Sequence, residues 1–295
     1  MRWSRILHQG RPVTAIVEDE HLALVEGDPF TGHRRTGERI PLAAAVFLPP
    51  VIPPTFYAVG YNYAAHNAQA AARTSTAAMA TIGTSAADAA AAGASAAGAA
   101  AAHVPVNGAP AKAAAERPEV GYRAQSALIG HGAAVIKPAD CTGPFECEAE
   151  LVAVIGRDLR RASRDEAADA VFGWTVGNDV SARTWQRADR TLWRAKNSDT
   201  FKPMGPWIET DLDPLADGVA TTVSIDGVPV AAFPTGTMIF DPYAYIQEIS
   251  RYITLRAGDV LWMGTDAMVE MPVGSTLAID ITGLGTLANP VTEES

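Results

Sequence analysis

The run FECEAELVAVIG, residues 145–156, limits the possible folds more than any other stretch of this chain. In its first half Glu146, Glu148 and Glu150 fall two apart, with Cys147, Ala149 and Leu151 alternating with them. Period two is the period of a β-strand, so the three carboxylates share one face and the intervening residues the other. More strands are predicted on either side. RPVTAIVEDEHLALVEGDPF holds two apolar-rich runs about an acidic turn, a hairpin pattern. TFYAVGYNYAAH, WTVGNDV, VLWMGT and TLAIDITGLGTL read as further strands, the last two each following a glycine-containing turn.

Two helices interrupt them. Ser163 and Glu166 form a capping box opening a short helix over SRDEAADAVF, with Gly173 expected to close it. Asp241 and Pro242 suit the N-cap and first turn of a helix through YAYIQEISRYI, where Ile246, Ile249 and Ile253 recur at helical spacing. The expected class is β-rich α+β.

FLPPVIPP reads as an extended linker, because proline removes donors and restrains its neighbours. The expected organisation is therefore a small N-terminal β domain over 1–54 and a larger domain over 55–295. Within the latter, residues 67–117 are dominated by alanine with serine, threonine and glycine, and carry almost no large apolar side chains. Such a stretch has little to pack, so it reads as a low-complexity insertion. It is either a tolerated surface expansion or a lid following His66.

The formal charge of −10 over 295 residues excludes an electrostatic nucleic-acid or anionic-membrane binder, which needs a positive surface. Two cysteines cannot build a disulfide framework, which points to a reducing cytosol. MRWSRILHQG has no apolar run of the signal-peptide kind, and no segment is apolar enough to span a bilayer, so a cytoplasmic protein is expected. There is no G-x-S-x-G elbow, Walker loop or G-x-G-x-x-G after an early strand.

Same-face carboxylates repel one another, and a cation or water relieves them. A hard divalent ion with oxygen ligands is one solution, Mg²⁺ usually taking two or three carboxylates plus waters. The other is a solvated strand face, since half-exposed strands alternate in this way. GWTVGNDVSARTWQ adds Asp179 at the end of an apolar strand, followed by Arg183 and Gln186. A buried acid there needs a partner, either a metal or an ordinary ion pair with Arg183.

YAVGYNYAAH, FECEAELVAVIG, VFGWTVGNDVSARTWQ, AKNSDTFKPMGPWIETD and LRAGDVLWMGT, in that order, resemble the successive signatures of the fumarylacetoacetate hydrolase family. The resemblance covers roughly residues 40–66 and 118–291. It implies a mixed β-roll or sandwich with a small N-terminal domain, a homodimer, and metal-assisted chemistry on a small 2-oxo acid.

Position by position, the resemblance implies Glu148, Glu150 and Asp179 as metal ligands for Mg²⁺, with Mn²⁺ or Ca²⁺ as alternatives. Glu146 becomes an exposed neighbour. Lys196 matches a lysine beside the metal, Arg183, Gln186 and Thr265 match substrate contacts, and His66 matches the histidine of an NYxxH motif that activates water in hydrolytic members. Gln69 stands where those members carry glutamate, and a neutral amide can fix the imidazole's tautomer without stabilising its charge. Asp266 and Met268 replace the family's Pro and Gly after Thr265, altering the substrate rim.

The first functional expectation is C–C hydrolysis or decarboxylation of an acylpyruvate-like acid through an enolate. The alternatives are an isomerase of a hydroxymuconate-type acid in aromatic breakdown, and a catalytically silent binding protein.

Overall fold

The computed structural model describes residues 1–69 and 117–295. Four strands open the chain as an antiparallel meander: β1 (Arg2–His8), β2 (Arg11–Glu18), β3 (His21–Asp28) and β4 (Gly32–Pro41). β5 (Val46–Leu48) and β6 (Phe56–Val59) flank the proline-rich segment, and a helix, α1, enters at 64 and is described to 69. The alanine-rich stretch expected as an insertion over 67–117 lies, from 70 to 116, outside the described residues.

The chain continues through β7 (Val120–Tyr122), β8 (Leu128–Ile129), β9 (Val135–Lys137), the long β10 (Phe145–Ile155), α2 (Arg164–Asp169) and β11 (Val171–Asn178). Next come β12 (Ser181–Ala182), α3 (Arg183–Gln186), α4 (Trp193–Asn197), β13 (Lys202–Glu209), β14 (Ala220–Ile225) and β15 (Val228–Pro234). α5 (Pro242–Tyr252), β16 (Val260–Trp262), β17 (Met268–Glu270), β18 (Thr276–Ile281) and β19 (Gly285–Glu293) complete it.

The strands form two mixed sheets. The larger runs β4-β3-β2-β1-β13-β11-β10-β16-β6-β7, and the smaller runs β15-β14-β18-β19-β9. This is the β-rich α+β class expected from the alternation. The N-terminal meander has its own small core of Ile6, Ala15, Leu22 and Leu24. It also joins the large sheet, Arg2 and Trp3 of β1 pairing with Glu209 and Ile208 of β13. Among the described residues no helix is long and apolar enough to cross a membrane.

β10 is buried on both faces over its whole length. Cys147, Ala149, Leu151, Ala153 and Ile155 enter the main core on one side. On the other side Val152 and Val154 pack with Phe56, Met204, Ile208 and Trp262, and the three glutamates continue that face beyond them. A solvated strand face is thereby ruled out, and Glu146, expected to be exposed, is 3% accessible. The reason is tertiary: β12 and β17 pair with the first half of β10 along its two edges, and Arg183, which follows β12, lies against the Glu146 carboxylate.

Local signals behave as the sequence predicts at the helix starts. Ser163 and Glu166 make the reciprocal capping box of α2, and Asp241 caps α5 with Pro242 in its first turn. Ile246 and Ile249 face the core, whereas Ile253 lies past the helix end and is exposed. Gly173 does not close α2. The helix ends at Asp169, and Gly173 lies inside β11, where a Cβ would come 2.5 Å from the Glu209 carbonyl oxygen. Its glycine serves the close approach of β13, not a turn.

Candidate active site

β10 changes partners midway, and the site forms at that change. β11 pairs with it from Ala149 onward and β12 at Phe145 and Glu146, so Asp179 falls in the crossing between the two. The Asp179 backbone N–H donates to the Glu148 carbonyl at 2.9 Å, and Glu148 N–H donates to the Asn178 side chain at 3.2 Å. On the opposite side β16 pairs at Val152–Val154 and β17 at Glu146–Glu148. The connection between them brings Gly264 N–H to Glu150 Oε2 at 2.7 Å. Gly264 has φ +81°, and a Cβ there would meet Asn62 and Val59 at 3.4 Å.

One carboxylate oxygen each from Glu148, Glu150 and Asp179 lies within 4.8 Å of the others, and all three residues are buried. Ligand oxygens about 2.1 Å from a Mg²⁺ ion sit roughly 3–4 Å apart, so a small inward closure would seat one. Three hard oxygen donors at this spacing fit a divalent cation.

The acids are unevenly compensated. Lys196 Nζ lies 2.6 Å from Glu148 Oε2 and 2.9 Å from Asp179 Oδ2. Arg183 reaches Glu148 Oε1 at 2.5 Å, Glu146 Oε2 at 2.6 Å and Gln186 Oε1 at 2.8 Å. Asp179 also receives Arg123 through both oxygens, at 3.1 and 2.8 Å, and Lys202 at 2.6 Å. No ion pair reaches Glu150 among the described residues.

Burial opposes ionisation of all three ligand-type acids, and their neighbours decide the outcome. At Glu148 the nearby Lys196 and Arg183 outweigh burial and hold the carboxyl well below the usual range. At Asp179 burial is outweighed by Arg123, Lys196 and Lys202, with the same result. At Glu150 burial is reinforced by the charges of Asp179 and Glu148, so its carboxyl rises well above the usual range. Burial also pulls the Lys202 ammonium down to about 7 against the attraction of Asp179.

His66 is half-buried on α1, whose approach is fastened by Asn62. The Asn62 amide donates to the Phe240 and Met263 carbonyls at 3.0 Å each and accepts from Phe240 N–H at 3.0 Å. Tyr63 donates its hydroxyl to the Thr235 carbonyl at 2.7 Å. Burial, with Arg183 and Lys196, lowers the His66 pKa below the ordinary imidazole value against the opposing charge of Glu148. Its Nδ1 is buried and has no hydrogen-bond partner among the described residues. Gln69, one turn further on, is exposed, and the hydrogen bond from Nδ1 that its amide could accept is not formed.

Thr265 is buried beside Gly264, its hydroxyl donating to the Ala267 carbonyl at 3.0 Å. Sequence reasoning missed Arg123 and Lys202. A lone lysine inside the apolar run TFKPMGPW was a usable signal, since unpaired lysine is rarely buried. Arg123 has no such local mark, because its partner lies 56 positions away.

The comparisons with known proteins agree with this architecture. The family model described as "Fumarylacetoacetate (FAA) hydrolase C-terminal" matches residues 55–292. This chain belongs to the fumarylacetoacetate hydrolase family. A second family model, "Rv2993c-like, N-terminal", matches residues 1–50. The chain is 35% identical over 266 residues to Protein Rv2993c of Mycobacterium tuberculosis, covering 89% of this chain and 84% of that one. It is 30% identical over 185 residues to the oxaloacetate tautomerase YisK of Bacillus subtilis, covering 60% and 62%. Among solved structures, 5-carboxymethyl-2-hydroxymuconate delta-isomerase from Mycobacterium smegmatis superposes over 100% of both chains with a TM-score of 0.78 and 30% identity. Enzymes of this family thus include hydrolases, tautomerases and isomerases, and this chain is an enzyme of that broad kind.

Proposed function

We propose that this chain is a divalent-metal enzyme that moves a proton at the carbon beside the keto group of a small 2-oxo acid, interconverting keto and enol or double-bond isomers. The observation that carries this reading is the buried donor set of Glu148, Glu150 and Asp179, with no ion pair to Glu150 among the described residues. A divalent ion, Mg²⁺ by preference with Mn²⁺ or Ca²⁺ as alternatives, supplies a Lewis acid for the keto and carboxylate oxygens of such a substrate.

The chain's own residues do the rest. Lys196 bridges Glu148 and Asp179 and fixes the separation of two donor carboxylates. Arg183 backs Glu148 from its other oxygen and is itself steadied by Gln186. His66 is kept neutral by burial and by Arg183 and Lys196, so it is competent to take a proton at neutral pH and return it. Thr265, in the turn whose Gly264 N–H holds Glu150, is assigned the substrate's acid group.

Proton transfer requires only one imidazole nitrogen to accept and donate. Activation of water for attack on a distant carbonyl charges the imidazole in the same way and needs, in addition, a nucleophilic water held against that carbonyl, which proton transfer does without. The likeness to a tautomerase and an isomerase, each 30% identical, supports the same choice. Hydrolysis or decarboxylation is the second reading, favoured by the same donor set, since breaking an adjacent C–C bond develops the same charge on the keto oxygen.

The test uses purified protein with oxaloacetate and with an acylpyruvate, in Mg²⁺ and in EDTA. The expected result is a metal-dependent change in enol absorbance without release of a fragment. Coupled detection of released pyruvate would move the assignment to cleavage. No metal-dependent change with either acid would sink both readings.

A further inference from the structure

Asp179 differs from the other two acids in how completely it is occupied. A carboxylate offers about four lone-pair sites. Asp179 has four donors on them: Arg123 Nε on Oδ1 at 3.1 Å, Arg123 Nη2 on Oδ2 at 2.8 Å, Lys196 on Oδ2 at 2.9 Å and Lys202 on Oδ1 at 2.6 Å. With these in place Asp179 has no lone pair left for a divalent ion, although its oxygen lies within the candidate donor set. One donor has to yield.

The three cations are not equally free to do so. Lys202 is inaccessible to solvent, and its ammonium also donates to the Phe201 carbonyl at 2.8 Å. Lys196 is tied to Glu148 at 2.6 Å and to the Asp179 carbonyl at 3.3 Å. Arg123 is the most accessible of the three and follows β7, a three-residue strand at the sheet edge. Its backbone is held by Phe56, and the neighbouring Ala124 N–H by Asn197, so the side chain can shift without moving the chain. Its Nη1 donates to the Tyr122 carbonyl at 3.1 Å, an anchor that keeps the guanidinium at the site when one edge is released.

We propose that Arg123 is an exchangeable counter-ion of the site: a divalent ion displaces it from one oxygen of Asp179, and the freed guanidinium edge then binds the substrate's carboxylate. A buried guanidinium without an anion is costly, so once displaced it seeks the next negative group to enter. The planar fork suits a carboxylate in a way an ammonium does not. Arg123 thereby couples ion uptake to substrate uptake, each favouring the other by the same factor. This inference rests on the metal reading above.

The experiment titrates chelator-treated wild type, Arg123→Gln and Glu150→Gln with Mn²⁺ alone, counting free ion by electron paramagnetic resonance. Oxalate is then titrated into the Mn²⁺-loaded proteins by calorimetry. Arg123→Gln is expected to bind Mn²⁺ about tenfold more tightly than wild type and oxalate about tenfold more weakly, a coupling of ordinary size. Arg123→Lys, which keeps charge but loses the fork, is expected to recover less than half of the oxalate loss on a logarithmic scale. Unchanged or weaker Mn²⁺ binding in Arg123→Gln, or unchanged oxalate binding, overturns the proposal while leaving the metal site standing. Absence of Mn²⁺ binding by both wild type and Arg123→Gln overturns the metal reading and this inference together. Undiminished binding by Glu150→Gln overturns the assigned donor set. Melting curves of each chelator-treated protein separate these outcomes from misfolding.

Discussion

Replacing Glu150 by glutamine separates what a metal needs from what the fold needs. Glu150 is buried, and its carboxyl sits well above the usual range because burial and the charges of Asp179 and Glu148 all disfavour ionisation. The folded protein therefore holds a proton that the unfolded chain gives up near pH 4.5. Stability is full below that point and falls as pH rises toward the folded pKa, by up to about 1.4 kcal/mol per pH unit. A divalent ion requires the carboxylate, so its binding expels that proton. Affinity should rise by up to about tenfold per pH unit across the same window.

In Glu150→Gln the amide oxygen still accepts the Gly264 N–H, and nothing at that position ionises. Chelator-treated variant should match wild type to within about 1 kcal/mol near pH 5 and lose the alkaline decline. Its metal affinity should fall by about 100-fold or more. At 100 times the dissociation constant a bound ion adds about 2.7 kcal/mol to wild type. That corresponds to a rise of roughly 5–10 °C in Tm, absent in the variant. Glu148→Gln is the contrast: it leaves Lys196 and Arg183 short of an anion and should cost about 3–5 kcal/mol without any metal. Scanning calorimetry with and without Mg²⁺, plus titration calorimetry in two buffers of different ionisation enthalpy, measures all of these. Metal binding that is flat with pH and releases no proton would refute the reasoning. So would a Glu150→Gln protein as unstable as Glu148→Gln.

His66→Asn should lower kcat by about 10²–10⁴ and abolish the acid limb of the pH–rate profile. In wild type that limb should fall below pH 6.5, because the imidazole's pKa is lowered by burial. Gln69→Glu should change kcat by less than about threefold, since the exposed Gln69 does not engage Nδ1; steady-state kinetics decide it. Gly177→Ala should destabilise the protein by about 1–3 kcal/mol in urea denaturation. The added Cβ would meet the Trp262 ring at 2.7 Å, across the strands that carry the site.

The sequence by itself determined the strand at 145–155, the shared face of its glutamates, both helix starts and, through ordered motifs, the family. These are legible because periodicity and capping act over a few residues, where chain order and spatial order coincide. Only the tertiary structure decided that Glu146 is buried, since β12 and β17, which flank it, and Arg183, which pairs with it, arrive from residues 181–183 and 268–270. It also gave Asp179 its cations. Arg123 stands 56 positions before Asp179 and Lys202 well after it, and neither pairing leaves a local pattern. The same holds for Gln69, placed by helical spacing on the face of His66 yet left in solvent. Charge matching in a buried site is set by strands that meet across long loops, and an alternating pattern in one strand says which residues share a face without saying what that face will meet.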